Sequence, residues 1–199
     1  MSSFAGLSKP DNSSFHIIWA ARWEHDKNPD DLLAVLRILR DGRFDFQVSV
    51  IGPSLQVKPN AILEIKKELA DRILHWGYMP TRHEYSQALA SADCFISTAN
   101  HEFFGLSAAE AIAAGTIPLL PNRLSYPELL NIVAFPERDL FLYDQTPDSL
   151  ADKIVSFADS QPDERTLHNL RGYFQQTYGW ESRAARMDQQ LTAIAELET

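Results

Sequence analysis

Six short runs that are apolar on consecutive positions, set between stretches of helical periodicity, constrain this chain more than any other feature. The runs are HIIWAAR (16–22), FQVSVIG (46–52), RILHWGYM (72–79), DCFISTA (93–99), TIPLLP (116–121) and DLFLYD (139–144). A strand with one face in water alternates polar and apolar residues, whereas continuous apolarity marks a strand covered on both faces. Strands of that kind alternating with helices predict an α/β fold: a Rossmann-like parallel sheet of about six strands, right-handed crossovers and helices on both faces.

The helical stretches carry their own boundary signals. Leu32, Leu33, Leu36 and Leu39 mark a helix over Pro29–Arg40, capped by Asn28 and with Gly42 past its end. A second is expected over Ala61–Ala70. Thr81 with Glu84 forms a capping box for HEYSQALASA. Leu106–Ala114 is closed by Gly115, and a short helix follows at Tyr126–Leu130, started by Ser125 with Pro127 in its first turn. Beyond residue 145 the pattern is all helical: Thr146 and Pro147 to about Asp159, about Asp163 to Tyr178, and a last helix from near Glu181 to the C-terminus. The expected layout is a flexible leader (1–14), one Rossmann-like domain (15–180) and a C-terminal helix (181–199).

Composition narrows the function classes. A formal net charge of −9 argues against a broad grip on a phosphate backbone, though a few cations suffice to hold one pyrophosphate. No apolar run is long enough to span a membrane, and MSSFAGLSKPDNSS lacks the basic start and apolar block of a secretory signal. The single cysteine, Cys94, lies in an apolar run, which rules out a disulfide or a cysteine metal cluster and fits a reducing, cytoplasmic setting. The histidines show no metal-ligand spacing, and neither GxxxxGK[ST] nor GxGxxG is present.

Ligands of such a sheet bind outside the carboxyl ends of its strands. After the first run, ARWEHDKNP places Arg22 and Lys27 ahead of a helix start, where two cations and helix amides would converge on an anion. The alternative is a solvated loop with Arg22 paired to Glu24 or Asp26. After the fourth run, HEFFGLSAAEA leads through Gly105, where the backbone can approach a ligand without a Cβ, into a helix whose first amides, at Gly105, Leu106 and Ser107, form a phosphate seat. Glu102 would then lie on the loop and Glu110 one turn into the helix. Here the alternative has Glu102 as exposed loop charge, Glu110 compensating the helix dipole and both phenylalanines in the core. After the third run, Gly77-Tyr78-Met79-Pro80 either packs Tyr78 or Met79 against a nucleobase, with Arg82 just after, or is a plain strand-to-helix turn. PSLQVKPN, after Gly52, borders the site without clear chemistry. His25 and His101 flank the expected pocket.

These residues resemble the retaining GT-B glycosyltransferases of family four. Glu102-Phe103-Phe104-Gly105-Leu106 with Glu110-Ala111 is similar to that family's E-x7-E signature, and Arg22 and Lys27 to its paired Arg and Lys. Gly77 stands where the family carries a glycine before its nucleobase-contacting loop. RWEHDKNP, HEFFG and Tyr126-Pro127-Glu128 further resemble a group that includes a tRNA-queuosine mannosyltransferase. The resemblance implies a nucleotide-sugar-binding domain, with GDP-mannose or a UDP-sugar as donor and a queuosine-modified tRNA as acceptor. It implies that Arg22, Lys27 and the amides at Gly105 to Ser107 neutralise the donor diphosphate, that Glu110 takes the ribose hydroxyls and that Glu102 takes those of the sugar. Gly77, Tyr78, Phe104 and Leu106 complete the nucleotide contacts, and no metal or other cofactor is required. Phe103 stands where most of the family has glycine, which narrows the space beside the sugar. A GT-B enzyme has two Rossmann-like domains, and the motifs here are those of the C-terminal, donor-binding half. The chain is therefore expected to be a fragment, inactive alone, with the acceptor and any tRNA bound through an N-terminal domain. An epimerase-like domain and a non-catalytic nucleotide-sugar-binding module are the competing readings.

Overall fold

The computed structural model describes residues 14–54, 58–130 and 136–197. Each apolar run contributes a strand: β1 Phe15–Ala20, β2 Phe46–Ile51, β3 Ile73–Gly77, β4 Cys94–Ile96, β5 Ile117–Pro121 and β6 Leu142–Tyr143. They form one six-stranded sheet in the order β3-β2-β1-β4-β5-β6, with every pair parallel. Ile17, Ile18 and Trp19 of β1 and Leu119 and Leu120 of β5 are buried on successive positions, as two-sided coverage requires.

The helices are α1 Pro29–Asp41, α2 Asn60–Glu68, α3 Arg82–Ser91, α4 Leu106–Ala114, α5 Tyr126–Leu129, α6 Pro147–Asp159, α7 Glu164–Tyr178 and α8 Trp180–Leu197. Their starts follow local chemistry. Asn28 accepts from the Asp31 amide, the Thr81–Glu84 capping box is closed in both directions, and Thr146 and Asp163 cap α6 and α7. α1 packs with α2 and α6, and α4 with α3 and α7. Right-handed crossovers that run in opposite directions from the middle of the sheet put these two groups on opposite faces.

Several boundaries differ from expectation. The stretch Pro136–Phe141 is a 3-10 helix, so only Leu142–Tyr143 of the last run is strand. Its apolar character serves burial by another route, with the Phe141 ring stacked on Phe157 at 6.1 Å. α2 stops at Glu68, and Ala70–Arg72 forms a separate 3-10 turn. α8 begins at Trp180, one residue before Glu181. Past α1, Gly42 is right-handed at φ −72°, and Arg43 takes the left-handed turn at φ 59°. Residues 1–13 of the expected leader lie outside the described residues. Among the described residues no helix is long and apolar enough to cross a membrane.

The strand order reverses between β1 and β4. The chain leaves β1 toward one edge of the sheet and β4 toward the other, so a crevice opens between the two loops at their carboxyl ends.

Candidate functional site

Main-chain bonds join those two loops before any side chain is considered. The Asp26 carbonyl accepts from the amides of Asn100 at 2.8 Å and His101 at 3.1 Å. The Thr98 hydroxyl donates to the Lys27 carbonyl at 2.8 Å and accepts from the Trp19 indole at 3.2 Å. The tight 3-10 turn His25–Lys27, ending in left-handed Asn28 at φ 51°, aims Lys27 into the crevice.

Lys27 is 9% exposed, and its ammonium lies among three oxygens at the edge of the crevice. It donates to the His101 carbonyl at 2.6 Å and lies 3.3 Å from Glu102 Oε2 and 3.2 Å from Asp26 Oδ2. A buried charge held this way is costly to leave unpaired, which fixes where it sits. Arg22 is more open: its guanidinium reaches Glu24 at 3.3 Å and Asp26 at 4.0 Å. The pairing foreseen for a solvated loop is therefore present. Arg22 and Lys27 nevertheless line one cavity of about 190 Å³ together with Glu102, Leu106, Ser107 and Tyr126.

The far wall of this cavity is the start of α4. Gly105 is its N-cap, left-handed at φ 90° and ψ 50°, and among the described residues no side chain caps the helix. The first-turn amides thus keep their donors and the partial positive charge of the helix end. The room left by the missing Cβ is taken from within. An added Cβ would lie 2.9 Å from Tyr126 Cε1, so Gly105 answers to its conformation and to the ring beneath it. Tyr126 is buried, and its hydroxyl shares a hydrogen bond of 2.7 Å with Ser97. Burial pushes its pKa up, aided by the charge of Glu102, so it stays a neutral phenol. Arg123 donates to the carbonyls of Ala99 and Thr98, both at 3.1 Å, and steadies the same loop.

The two glutamates sit where the sequence placed them, on loop and helix. Glu102 is no loose surface charge, since Oε1 accepts from the Phe103 amide at 3.1 Å and the Phe104 amide at 3.4 Å while Oε2 faces Lys27. The phenylalanines are not core. Phe103 is 85% exposed, and Phe104, 39% exposed, meets Tyr178 edge-on at 5.3 Å. Glu110 is held from both sides, by Arg82 at 2.7 Å and by the Tyr85 hydroxyl at 2.9 Å. Burial, then the Glu110 charge, pushes the Tyr85 pKa up, so Tyr85 remains a donor to the carboxylate.

Glu110 faces a second groove, of about 360 Å³, bordered by Gly52, Tyr78, Met79, Arg82 and Leu106. Leu106, 63% exposed, lines both spaces and stands between them. Gly77 is left-handed at φ 97° with no described atom within 4 Å of where a Cβ would be, and its carbonyl accepts from Gly52 at 3.0 Å. Gly52 in turn presses on Ala21 so closely that no side chain fits. The loops after β1, β2 and β3 are thereby packed edge to edge. Residues 55–57 of the loop after Gly52 lie outside the described residues. The His101 ring meets Phe103 edge-to-face at 4.6 Å. Among the described residues no group of three or more His, Cys, Asp or Glu is placed to hold a metal ion.

Of the residues expected at the site, Arg22, Lys27, Glu102, Leu106 and Ser107 line one cavity and Tyr78 and Glu110 the next, while Gly105 stands at the N-cap just before the first cavity's wall and Gly77 and Phe104 line neither space. Sequence reasoning gave no role to Tyr126, Arg123 or Tyr85, whose contacts span large separations along the chain, and named Asp26 only as a partner of Arg22. Two of these residues lie in segments that carry the resemblance, Asp26 in RWEHDKNP and Tyr126 in Tyr126-Pro127-Glu128.

A parallel sheet whose strand order reverses at a switch point is a Rossmann-like fold, and it matches one half of solved GT-B glycosyltransferases. The fold matches sucrose-phosphate synthase from Thermosynechococcus elongatus at a TM-score of 0.74 and 24% identity, over 93% of this chain and 46% of that one. It also matches Anabaena HepE, solved in complex with UDP, at 0.73 and 16% identity, over 90% and 49%. The chain belongs to the glycosyl transferases group 1 family, whose profile covers residues 7–175. It is 37% identical over 147 residues to the tRNA-queuosine alpha-mannosyltransferase of Drosophila melanogaster, covering 74% of this chain and 37% of that protein. It is 25% identical over 181 residues to the D-inositol 3-phosphate glycosyltransferase of Paenarthrobacter aurescens (strain TC1), covering 89% and 43%. The chain thus spans less than half the length of these relatives.

Proposed function

We propose that this chain is the donor-binding half of a retaining glycosyltransferase whose donor is a nucleotide-diphospho-sugar. GDP-mannose is the first donor to test and a UDP-sugar the second, and the acceptor is a queuosine-modified tRNA. One observation carries this above the rest: Arg22 and Lys27 share a cavity with the uncapped start of α4. Cations on one wall and helix amides on the other match the charge of a diphosphate. They would stabilise it further as it departs with the bond to the sugar broken, the largest contribution such a site makes.

The carboxylates then divide the rest of the donor. An ionised carboxylate has about four lone-pair sites. Glu110 gives two of them to Arg82 and Tyr85, which orient it, and the others accept from ribose hydroxyls. Glu102, fixed by two amides and Lys27, accepts from the hydroxyls of the sugar. Tyr78 borders the groove beside Glu110 and packs against the base. The charge of the diphosphate is met by side chains and amides, with no metal ion. A further domain holds the acceptor, and any tRNA is gripped there, because this chain carries a net charge of −9. The chain alone is expected to bind nucleotide and turn it over slowly.

The test is calorimetric titration of the chain with GDP, UDP and ADP and with their mannose and glucose conjugates. Saturable binding of a diphosphate, tighter than of its nucleoside, is the expected result. Absence of binding at millimolar nucleotide overturns the assignment.

A further inference from the structure

We propose that the Tyr126 hydroxyl donates a hydrogen bond to a phosphoryl oxygen of the donor diphosphate, beside Arg22, Lys27 and the first amides of α4. The inference rests on the assignment of that cavity to the diphosphate. Ser97 and Tyr126 both line it, and they are 7% and 2% exposed. Tyr126 enters from beneath the helix start. Its Cε1, next to the ring carbon that bears the hydroxyl, is the atom a Cβ at Gly105 would meet. The hydroxyl therefore lies by the N-cap of α4, at the far wall of the cavity.

A count of hydrogens leads to the contact. The two hydroxyls bring two hydrogens and share one bond of 2.7 Å. The Ala99 amide donates to Ser97 Oγ at 3.3 Å, which uses a lone pair and no hydroxyl hydrogen. Among the described residues, one O–H of the pair is therefore left to donate. A buried donor without an acceptor is costly, and a diphosphate is the acceptor that the cations of this cavity select. The direction follows from the same bonds. Ser97, already accepting from Ala99, is polarised to donate in turn to Tyr126, and the phenol, the more acidic hydroxyl, is left for the anion. Burial keeps that phenol protonated through the neutral range. The Tyr143 hydroxyl, donating to the Ser97 carbonyl at 2.8 Å, fixes the end of β4 that carries the pair. As the bond to the sugar breaks and charge grows on the diphosphate, a neutral donor held there stabilises it and keeps its own proton.

The experiment titrates the 199-residue chain with GDP, inorganic pyrophosphate and guanosine by calorimetry. Tyr126→Phe keeps the ring beneath Gly105. It should weaken GDP and pyrophosphate by roughly 10- to 150-fold, the loss of one hydrogen bond to a charged acceptor, and leave guanosine within about twofold. Ser97→Ala cuts the link between the hydroxyls but leaves the phenol free to reach the phosphate, so its loss should be no more than a few-fold. In the unaltered chain, with tyrosines isotope-labelled at Cζ, pyrophosphate should move the Tyr126 resonance in NMR spectra and guanosine should leave it in place. GDP affinity in Tyr126→Phe within about twofold of the parent overturns the contact. So does a guanosine loss as large as that of GDP, an equal loss in Ser97→Ala, which would give the pair a structural role alone, or a Tyr126 resonance that pyrophosphate does not move. Any of these with GDP bound by the parent sinks this inference alone. Failure of the parent to bind GDP sinks the diphosphate assignment and this contact with it.

Discussion

Replacing Gly105 with alanine tests how the turn before α4 is built. Two costs are predicted. The left-handed backbone, at φ 90°, disfavours any residue with a Cβ by about 1–2 kcal/mol. The new methyl would also lie 2.9 Å from the Tyr126 ring, which is 2% exposed and anchored through its hydroxyl to Ser97. Overpacking of this kind costs about 1–3 kcal/mol, so the total is about 2–5 kcal/mol. Gly77 is the control. It has nearly the same backbone, at φ 97°, with no described atom within 4 Å of an added Cβ. Gly77→Ala should therefore lose only the conformational part, about 1–2 kcal/mol. Urea unfolding of both variants measures the difference, provided the m value is unchanged. If Gly105→Ala is no more destabilised than Gly77→Ala, the Tyr126 ring yields freely and the packing account of this turn is wrong.

Lys27→Ala should cost about 1.5–3 kcal/mol of stability and weaken GDP binding, because it strands two carboxylates and a carbonyl. Arg22→Ala, whose side chain is 57% exposed, should weaken GDP while changing stability by less than about 1 kcal/mol; urea melts beside calorimetry separate the two, and equal stability losses would contradict the difference in burial. Tyr85→Phe removes one of the two groups orienting Glu110, so affinity should fall for GDP and stay level for inorganic pyrophosphate when both are titrated. Hydrogen bonds from Arg37 and then Arg40 hold the Glu68 carboxyl at about 2, below its ordinary 4.5. A depressed carboxylate stabilises the fold above its unfolded value and loses that contribution as pH falls, so Glu68→Gln should flatten the stability profile between pH 4.5 and about 2 in acid titrations followed by circular dichroism.

What was legible in the sequence was what neighbours decide. The Thr81–Glu84 box, the cap of Asn28 on α1 and the span of α4 between two glycines all rest on contacts within four residues along the chain. Two-sided burial was readable too, because a segment apolar at every position has no face suited to water. The run at 139–144 shows the limit of that signal: Phe141 is buried against Phe157 from a 3-10 helix, and apolarity alone does not tell a strand from another buried segment. Gly42 shows another limit, since Arg43 accepts the left-handed turn that glycine would favour. In the site, residues on the loops that follow the strands, Arg82 among them, were named, but the contacts that join one loop or helix to another were not. Arg82 and Tyr85 meet Glu110 only because α3 packs on α4, and Tyr126 lies beneath Gly105 only because the chain returns through β5.

The bonds that the Asp26 carbonyl receives from Asn100 and His101 join two distant loops through peptide atoms alone. Every residue except proline carries the amide such a clamp needs, so the junction is blind to side-chain identity at these positions. Selection can therefore rewrite the side chains on the loop, a bulky ring in place of a hydrogen atom at position 103 included, while the frame that aims Lys27 across the crevice stays where it is.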